Sequence, residues 1–193
     1  MAVSSVLLVV LAPVGAVVLG AVGLDMLRCP RDRGRVLYRE RRVSGGRTFE
    51  LLKFRTLRED VLVEADGHVR PYESDVANLT WVGRRVLKPM YLDELPQLVN
   101  VLRGEMSLVG PRPWPQELVD RQLARGLDYR LRVPAGWTGP AQVSKGRSGD
   151  FEGLDLAYVE LLETRGGWDV VRHDLGVLRE TVRTMLRGEG LAN

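Results

Sequence analysis

The hydrophobic residues of this chain are concentrated at its N-terminus. Residues 1–24 contain no charged side chain, whereas charged residues are frequent from Asp25 onwards. As a straight helix, this stretch is roughly 36 Å long, which is enough to cross a bilayer. Pro13 disturbs such a helix, because proline lacks an N–H donor and crowds the preceding turn. The segment could cross the membrane with a kink, or bend and return so that both ends stay in the cytoplasm.

Downstream, the alternation of apolar and polar positions predicts an α+β fold that is mostly helical and contains one short β-hairpin. The expected strands are residues 35–39 and 48–56, with the turn signal Ser44-Gly45-Gly46 between them. Residues 58–78 are polar and are expected to form an irregular surface excursion. Three helices are expected. The stretch 78–88 is expected to be helical near its end, residues 92–103 form a short helix closed by Gly104, and residues 116–126 form a further helix.

The C-terminal part is rich in turns and ends in an amphipathic helix. Three prolines between residues 110 and 115 enforce an extended path, and residues 128–146 are rich in glycine and proline. From residue 169 to residue 186, apolar side chains recur at steps of three and four: Val171, Leu175, Leu178, Val182 and Leu186. Such a face packs into a protein core or lies on a membrane surface, and the sequence leaves both readings open.

The net charge fits anionic lipid, phosphorylated ligands or nucleic acid and selects none of them, whereas the distribution of arginines predicts an orientation in the membrane. The formal net charge is +3, and seven arginines lie between Arg28 and Arg42 against Asp32 and Glu40. By the positive-inside rule, the residues after the apolar segment stay in the cytoplasm. The single cysteine, Cys29, excludes an internal disulfide; we expect a free thiol, with lipidation as the alternative. The chain therefore divides into a hydrophobic membrane segment, residues 1–27, and a cytoplasmic domain, residues 28–193.

The adjacent carboxylates Asp93 and Glu94 are the main candidates for chemistry. Pro96 is tolerated in a first helical turn, which places Asp93 near the N-cap of the predicted helix. Neighbouring helical side chains point about 100° apart, so the two carboxylates need not share one task. The free N–H groups of a helix N-terminus favour a bound phosphate, although an ordinary acidic N-cap would give the same sequence.

Basic residues elsewhere fit a phosphate ligand. Lys53 and Arg55 lie two apart on a predicted strand, so both would project from one face about 7 Å apart, a spacing that could bracket a pyrophosphate. Arg112 lies between two prolines, and this stiff path lowers the entropy lost when its guanidinium is aimed at phosphate oxygens. The simpler readings are an exposed basic strand face and a polar residue in a rigid turn.

Other catalytic motifs are absent from the sequence. It contains no P-loop, no GxGxxG pattern and no Gly-x-Ser-x-Gly elbow. Two histidines, His68 and His173, and one cysteine do not make a zinc cluster. The chemistry that remains is a carboxylate nucleophile with a hard cation such as Mg²⁺, which binds one or two carboxylates together with substrate phosphates.

These segments together resemble the monotopic phosphoglycosyl transferases, the bacterial sugar transferases that begin glycoconjugate assembly on polyprenyl phosphate. The most specific match is Met106-Ser-Leu-Val-Gly-Pro-Arg-Pro113. The other matching stretches are Gly34-Arg-Val-Leu-Tyr38, Lys53-Phe-Arg-Thr56, Leu92-Asp-Glu-Leu-Pro-Gln-Leu98, and Gly136-Trp-Thr-Gly139 with Gln142-Val143. The resemblance extends over about residues 10–190 and is to the minimal form of the family.

The resemblance implies a reaction and a division of labour. A sugar-1-phosphate would pass from a UDP-sugar to Asp93 and then to polyprenyl phosphate, giving UMP and a polyprenyl-diphospho-sugar. The implied roles are Asp93 as nucleophile, Glu94 as Mg²⁺ ligand, Lys53, Arg55, Lys88 and Arg112 as phosphate-binding residues, and Thr138 and Gln142 as candidates in a nucleotide-binding loop. The resemblance also implies a re-entrant helix broken at Pro13, contact with membrane lipid, and an active site at the cytoplasmic face of the bacterial inner membrane. It allows a homodimer and gives no role to nucleic acid.

Three positions depart from the usual family pattern. Ala12 precedes the helix-breaking proline where serine is common, Lys88 replaces an arginine, and Ala135-Gly136 replaces Pro-Gly. Lysine keeps the charge but lacks the bidentate fork of arginine. The alternative to an enzyme is a membrane-anchored basic domain that binds an anionic polymer without chemistry. That alternative leaves Asp93 and Glu94 unexplained, because carboxylates at an anion site hinder binding unless a metal is present.

Overall fold

Helices of very different length make up most of the structure, a computed structural model that describes residues 2–65, 69–144 and 150–187. The α-helices are α1 (Ala2–Arg28), α2 (Glu59–Ala65), α3 (Arg70–Glu73), α4 (Gln97–Leu102), α5 (Gln116–Ala124), α6 (Tyr129–Arg132), α7 (Pro140–Val143), α8 (Phe151–Thr164) and α9 (Gly167–Arg187). Short 3₁₀ turns cover Pro30–Asp32, Val76–Asn78 and Leu92–Glu94, and Gly83–Leu87 is a π-helix. The predicted mixture of helices with a small sheet is confirmed.

The predicted hairpin is present, but its first strand is longer than expected. β1 (Leu37–Ser44) pairs with β2 (Arg47–Phe54) in an antiparallel register from Leu37 opposite Phe54 to Ser44 opposite Arg47. Gly45 and Gly46 form the connection with φ angles of +52° and +72°. A two-residue turn with positive φ at both positions matches the twist of the strands, which explains the two glycines.

A second, two-stranded sheet was not predicted. β3 (Ser107–Val109) runs parallel to β4 (Gly136–Thr138). Each strand has only three residues, which is too short for an alternating pattern to show in the sequence. The two backbones come so close that a Cβ at Gly136 would collide with the backbone nitrogen of Gly110. Glycine at position 136 is therefore required by packing.

The expectation that residues 58–78 are irregular is wrong for the described part of that stretch. It contains α2, α3 and a 3₁₀ turn, and it has a small core of its own: Leu57, Val61, Val69 and Leu79. These apolar residues are spread thinly among charged ones, so the sequence shows no continuous helical face. Residues 66–68 and, in the later turn-rich stretch, residues 145–149 lie outside the described residues.

The main core joins the second half of α1 to the centre of the molecule. Val18 and Val22 are buried against α4 and the π-helix, where Leu87 and Leu98 are almost fully enclosed. Val18 and Val22 lie four residues apart, on one face of the helix, while Val17, Leu24 and Leu27 are exposed. One side of α1 is thus fixed to the domain and another presents apolar side chains outward.

α1 passes through Pro13 as one helix rather than ending there. Within the described residues, the length and hydropathy of the helices fall short of what crossing a bilayer requires. The re-entrant arrangement at Pro13 and the boundary at residue 27 stay predictions.

The C-terminal helix α9 is amphipathic, as predicted, but its packed face differs from the expected one. Val177 is buried and Leu178 and Met185 are packed against core clusters. Four side chains of the predicted apolar face are instead exposed: Val171, Leu175, Val182 and Leu186. Trp168 at the start of the helix is 84% exposed. Core packing therefore explains Leu178 and leaves an outward apolar stripe.

Candidate active site

Asp93 and Glu94 lie in a 3₁₀ turn that precedes the helix rather than at its first residues. The turn covers Leu92–Glu94, and α4 begins only at Gln97. The reason lies in Pro96, which has no N–H to donate to the carbonyl of Leu92. The amides of Leu95 and Leu98 instead bond three residues back, in the 3₁₀ pattern, to Leu92 and Leu95. The predicted helix start is therefore corrected by about one turn.

The turn is reached through a strained residue. Tyr91, directly before it, has a φ of +53° and adopts the left-handed conformation, the only non-glycine to do so among the described residues. This conformation is disfavoured for a residue with a bulky side chain and persists only where the surroundings enforce it. It turns the chain sharply, and it is followed at once by the two carboxylates.

Both carboxylates are buried, but their contacts differ. Asp93 is 7% exposed and Glu94 is 9% exposed. The Glu94 carboxylate accepts a hydrogen bond from the Arg112 guanidinium at 2.9 Å. Among the described residues, the Asp93 carboxylate takes part in no hydrogen bond or ion pair. Glu94 is held in place, whereas the oxygens of Asp93 remain available to a ligand.

Burial and the charge of Glu94 raise the pKa of Asp93 to about 7, against the opposing influence of Lys53 and Lys88. An ionised carboxylate without a partner is costly in such a place, and this is the usual signature of a functional group. Near neutral pH the side chain is divided between its acid and its nucleophilic form.

Three of the predicted cations converge on this turn. The charges of Lys53 and Lys88 act on Asp93, and Arg112 binds Glu94. Lys53 extends from β2, Lys88 follows the π-helix, and Arg112 comes from the stretch after β3. The sequence prediction that these residues meet at Asp93 and Glu94 is consistent with their placement.

Arg55 is placed differently from the prediction. β2 ends at Phe54, and the Arg55 side chain is buried away from Lys53, donating hydrogen bonds to the carbonyl oxygens of Asp32, Arg35 and Leu57 at 2.5 to 2.7 Å. Its remaining ionic contact is with Glu59 at 3.7 Å. Lys53 and Arg55 could share a face only if the strand continued through position 55, and β2 stops one residue before it. Arg55 instead ties the chain entering the hairpin to the chain leaving it.

The position of Arg112 is fixed by hydrogen bonds to the backbone of the Pro-Arg-Pro stretch. The amide of Gly136 donates to the carbonyl of Pro111 at 2.9 Å, which holds the prolines against the start of β4. The guanidinium of Arg130 donates to the carbonyl oxygen of Arg112 and is itself paired with Asp155 at 2.7 Å. The stiffness expected from Pro-Arg-Pro is thus supplemented by a buried ion pair.

Trp137 holds the turn that carries Asp93 and Glu94 through a hydrogen bond to its backbone. Its indole nitrogen donates to the carbonyl oxygen of Glu94 at 3.1 Å, and the ring is buried in the main core. Asn100 has a similar role one turn further on, since its amide group bonds the backbone of Glu50 and Leu52 at 2.8 and 3.0 Å. Both are single polar residues in apolar surroundings, and their roles depend on contacts distant in the sequence.

Two cavities meet at Arg112. The larger, of about 450 Å³, is lined by Tyr91, Glu94, Arg112, Trp137, Thr138, Gln142, Val143, Thr181, Thr184 and Met185. The smaller, of about 220 Å³, is lined by Arg42, Leu51, Lys53, Gln97, Arg112, Pro113 and Gln142. Both loop candidates, Thr138 and Gln142, therefore border the larger cavity. The contribution of α9 was not predicted, although Thr181 lies 2.8 Å from Thr138, hydroxyl to hydroxyl.

Glu73 is the functional candidate that sequence reasoning missed. Its carboxylate pairs with the ammonium of Lys88 at 3.0 Å. Burial acts to raise the pKa of Glu73, yet Lys88, Lys53 and Arg112 hold it below its ordinary value. Glu73 ends α3, in a stretch expected to be a surface excursion, so no local pattern connects it to a residue fifteen positions away.

The donor set fits a magnesium ion. Asp93 and Glu94 supply two adjacent carboxylates, and Asp93 has no protein partner among the described residues. Mg²⁺ in phosphoryl-transfer sites takes one or two carboxylates and completes its shell with water and substrate phosphate. A separate group, Asp25, Cys29 and Asp32, also lies within 4.8 Å, ligand atom to ligand atom. There, Asp25 and Asp32 accept hydrogen bonds from the amides of Val82 and Trp81 and so cap the helical segment that leads into the π-helix.

Comparison with known proteins decides the family. The model of the bacterial sugar transferase family matches residues 1–188. The chain belongs to the bacterial sugar transferase family. Similarity to individual members of the family agrees with the resemblance seen in the motifs. The match of the family model is continuous over the turn with Asp93 and Glu94, the stretch before Arg112 and the loop with Thr138.

Three relatives illustrate the range. The chain is 38% identical over 169 residues to a UDP-glucose:undecaprenyl-phosphate glucose-1-phosphate transferase of Caulobacter vibrioides, covering 79% of this chain and 57% of that protein. It is 36% identical over 176 residues to an undecaprenyl-phosphate galactose phosphotransferase of Salmonella typhimurium, covering 83% of this chain and 35% of the relative. It is 37% identical over 150 residues to an exopolysaccharide production protein of Sinorhizobium fredii, covering 71% and 63%. The chain thus spans between about a third and two thirds of these relatives.

Proposed function

We propose that this bacterial sugar transferase moves a sugar-1-phosphate from a UDP-sugar to polyprenyl phosphate through a covalent intermediate on Asp93. The observation that carries the proposal is the state of Asp93: it is buried, it has no partner among the described residues, and it lies where the charges of Lys53 and Lys88 act. The names of two relatives, a glucose-1-phosphate transferase and a galactose phosphotransferase that both act on undecaprenyl phosphate, support the same substrate class.

In the first step, an oxygen of the Asp93 carboxylate attacks the phosphorus that carries the sugar. The bond from that phosphorus to the bridging oxygen of the diphosphate breaks, and UMP leaves with both electrons of the bond. The product on the protein is an acyl phosphate of the sugar-1-phosphate. Lys53, Lys88 and Arg112 stabilise the negative charge that develops on the phosphate oxygens. Glu94 stays fixed through its ion pair with Arg112.

In the second step, a phosphate oxygen of the polyprenyl phosphate attacks the same phosphorus. The bond to Asp93 breaks, the carboxylate is regenerated and the polyprenyl-diphospho-sugar is released. The two-step course divides a difficult transfer between two anionic substrates into two separate displacements at the same phosphorus. A bound Mg²⁺, held by Glu94 with Asp93 beside it, would supply charge neutralisation at the diphosphate.

We infer that the protein works at a membrane surface. The outward side of α1 and the apolar stripe of α9 expose Leu24, Leu27, Leu175 and Leu186. The α9 residues Thr181, Thr184 and Met185 also line the larger cavity, so the helix that carries the stripe borders the site. This arrangement would bring a lipid-borne phosphate to Asp93 from the membrane while the UDP-sugar arrives from the cytoplasm. Placement at the cytoplasmic face of the bacterial inner membrane belongs to this proposal.

Replacing Asp93 by asparagine tests the mechanism. The wild-type protein in detergent micelles should release UMP from at least one UDP-sugar when Mg²⁺ and polyprenyl phosphate are added, and Asp93→Asn should reduce that rate by at least about a thousandfold. Intact-mass analysis of wild type incubated without the acceptor should show one added sugar-phosphate, absent in the variant. Wild-type rates in Asp93→Asn would refute the covalent role.

The melting temperature of the Asp93→Asn variant shows whether the variant folds normally. Because the pKa of Asp93 is raised by burial to about 7, the folded protein holds this proton more tightly than the unfolded chain does. The stabilising effect is complete below the ordinary carboxyl pKa and is lost as the pH rises through 7. Asp93→Asn should therefore melt at a higher temperature than wild type at pH 8, with a smaller difference at pH 5. A lower melting temperature at both pH values would indicate a folding defect instead.

A further inference from the structure

Lys88 is already positioned by the chain around it. Its backbone amide bonds the carbonyl of Gly83 at 3.0 Å, which closes the π-helix, and its side chain is only 15% exposed. Gly83 has no room for a side chain, since a Cβ would lie 2.6 Å from the carbonyl oxygen of Thr56. A π-turn of this kind displaces the following residue relative to an α-helix and is often found at functional sites. The Lys88 stem is thus held by packing.

Glu73 adds a negative charge at the point where the positive charges converge. It lies 3.0 Å from the Lys88 ammonium, and the charges of Lys53 and Arg112 act on it as well. It also opposes the ionisation of Asp93. A substrate phosphate bound by the same cations would therefore lie near a carboxylate of like charge.

We propose that Glu73 is an internal counter-anion of the phosphate site, which weakens the binding of free phosphate anions and so limits occupation of the site by product. The inference rests on the proposed function for taking Lys53, Lys88 and Arg112 as the phosphate-binding cations. Glu73 does not touch the reacting atoms; it acts through Lys88 and through its own charge.

The alternative is that Glu73 serves mainly to hold Lys88, in which case its removal should weaken binding. Two unit charges about 5 Å apart at an effective dielectric of 20 repel strongly enough to change affinity by roughly a hundredfold. Partial solvent exposure reduces this to about tenfold. The ordering of Lys88 contributes less, because its side chain is already largely buried. Repulsion is therefore the larger effect, and neutralising Glu73 should tighten anion binding.

Calorimetric titration of the whole 193-residue chain in micelles with inorganic pyrophosphate, without added Mg²⁺, tests this directly. Glu73→Gln should lower the dissociation constant about tenfold. Glu73→Asp, which keeps the charge, should stay within about threefold of wild type. Lys88→Met should raise the constant about tenfold and so show that the titrated site is this one. In turnover, Glu73→Gln should lower KM for the UDP-sugar and also lower kcat, because UMP leaves more slowly.

Glu152→Gln is the matched control. Glu152 pairs with Arg125 at 2.9 Å and its side chain is 32% exposed, against 31% for Glu73, but it lies on α8 and its ionic partner is not one of the three proposed phosphate-binding cations. The Glu152→Gln variant should bind pyrophosphate with the same affinity as wild type. An unchanged or weakened affinity in Glu73→Gln, an equal gain in Glu73→Asp, or a titration insensitive to Lys88→Met would each overturn the inference. The titration needs no turnover, so it tests Glu73 even if the Asp93 experiment refutes the proposed reaction.

Discussion

The buried ion pair of Arg130 and Asp155 should stabilise both the fold and the candidate active site. The substitution Asp155→Asn tests this by removing one of the two charges. The two side chains are 7% and 3% exposed, and their charged atoms lie 2.7 Å apart. Arg130 also stacks on the Trp114 ring at 3.9 Å and donates to the carbonyl oxygen of Arg112. Asparagine keeps the shape of Asp155 but removes its charge, so the guanidinium is left buried without a counter-ion.

The size of the effect follows from these contacts. Breaking a buried ion pair by removing one partner typically costs about 3–5 kcal/mol. Two contacts of Arg130, with the ring of Trp114 and with the backbone of Arg112, survive the substitution, so a value near ~3 kcal/mol is expected. For a chain of this length, ~1 kcal/mol lowers the melting temperature by roughly 2–4 °C. Asp155→Asn should therefore melt about 6–12 °C below wild type.

The assay is thermal unfolding followed by circular dichroism at pH 8, in micelles, beside UMP release. This pH is chosen because burial raises the pKa of Asp155, while Arg130 opposes that shift. The matched control is Glu163→Gln, which breaks an ion pair to Arg132 of the same 2.7 Å length but with Glu163 46% exposed. An exposed pair contributes about 0–1 kcal/mol, so the control should shift by less than about 4 °C. Equal losses in the two variants would refute the reasoning.

Two further predictions concern the loop and the membrane face. Gly136→Ala should reduce UMP release at least tenfold, because its Cβ would push β4 from the backbone of Gly110 and so move Arg112. Gly166→Ala, where a Cβ meets open space, is the control, and equal activity of the two variants would contradict the close-packing argument. Leu175→Glu should weaken binding to vesicles of anionic phospholipid severalfold in a flotation assay, because it places a charge in the exposed apolar stripe of α9. Unchanged flotation would show that the exposed stripe of α9 does not contribute to membrane binding.

The parts of the fold that could be predicted from the sequence are those with a local signal. Two adjacent glycines define the hairpin turn, and the three- and four-residue periodicity defines α9. The parallel pair β3 and β4 could not be predicted, since strands of three residues are fixed by contacts about thirty positions apart. The 3₁₀ turn that carries Asp93 depends on Pro96, which is visible in the sequence, but the choice between 3₁₀ and α geometry is settled by packing.

The candidate site shows the same division. Asp93, Glu94 and Arg112 could be predicted because a carboxylate pair and a Pro-Arg-Pro path have a chemical meaning by themselves. Arg55 was placed wrongly because a period of two holds only while the strand lasts, and β2 stops one residue earlier. Glu73 could not be predicted, because its importance comes from an ion pair across the fold and not from its neighbours in the chain.

A buried carboxylate without a partner lowers the stability of the fold when it is ionised. Contacts around Asp93 stabilise the turn that carries it and so offset this loss. Trp137 binds the backbone of the 3₁₀ turn through the carbonyl oxygen of Glu94, and Arg130 binds the backbone of Arg112. Asn100 bonds the helix that follows to β2. Each of these side chains is buried and bonds backbone atoms, and the further partners of Arg130 and Asn100 are the carboxylates of Asp155 and Glu105. They fix the position of the turn without occupying the oxygens of Asp93. The Asp93 oxygens are thereby left without a partner among the described residues, as the proposed role of Asp93 as nucleophile requires.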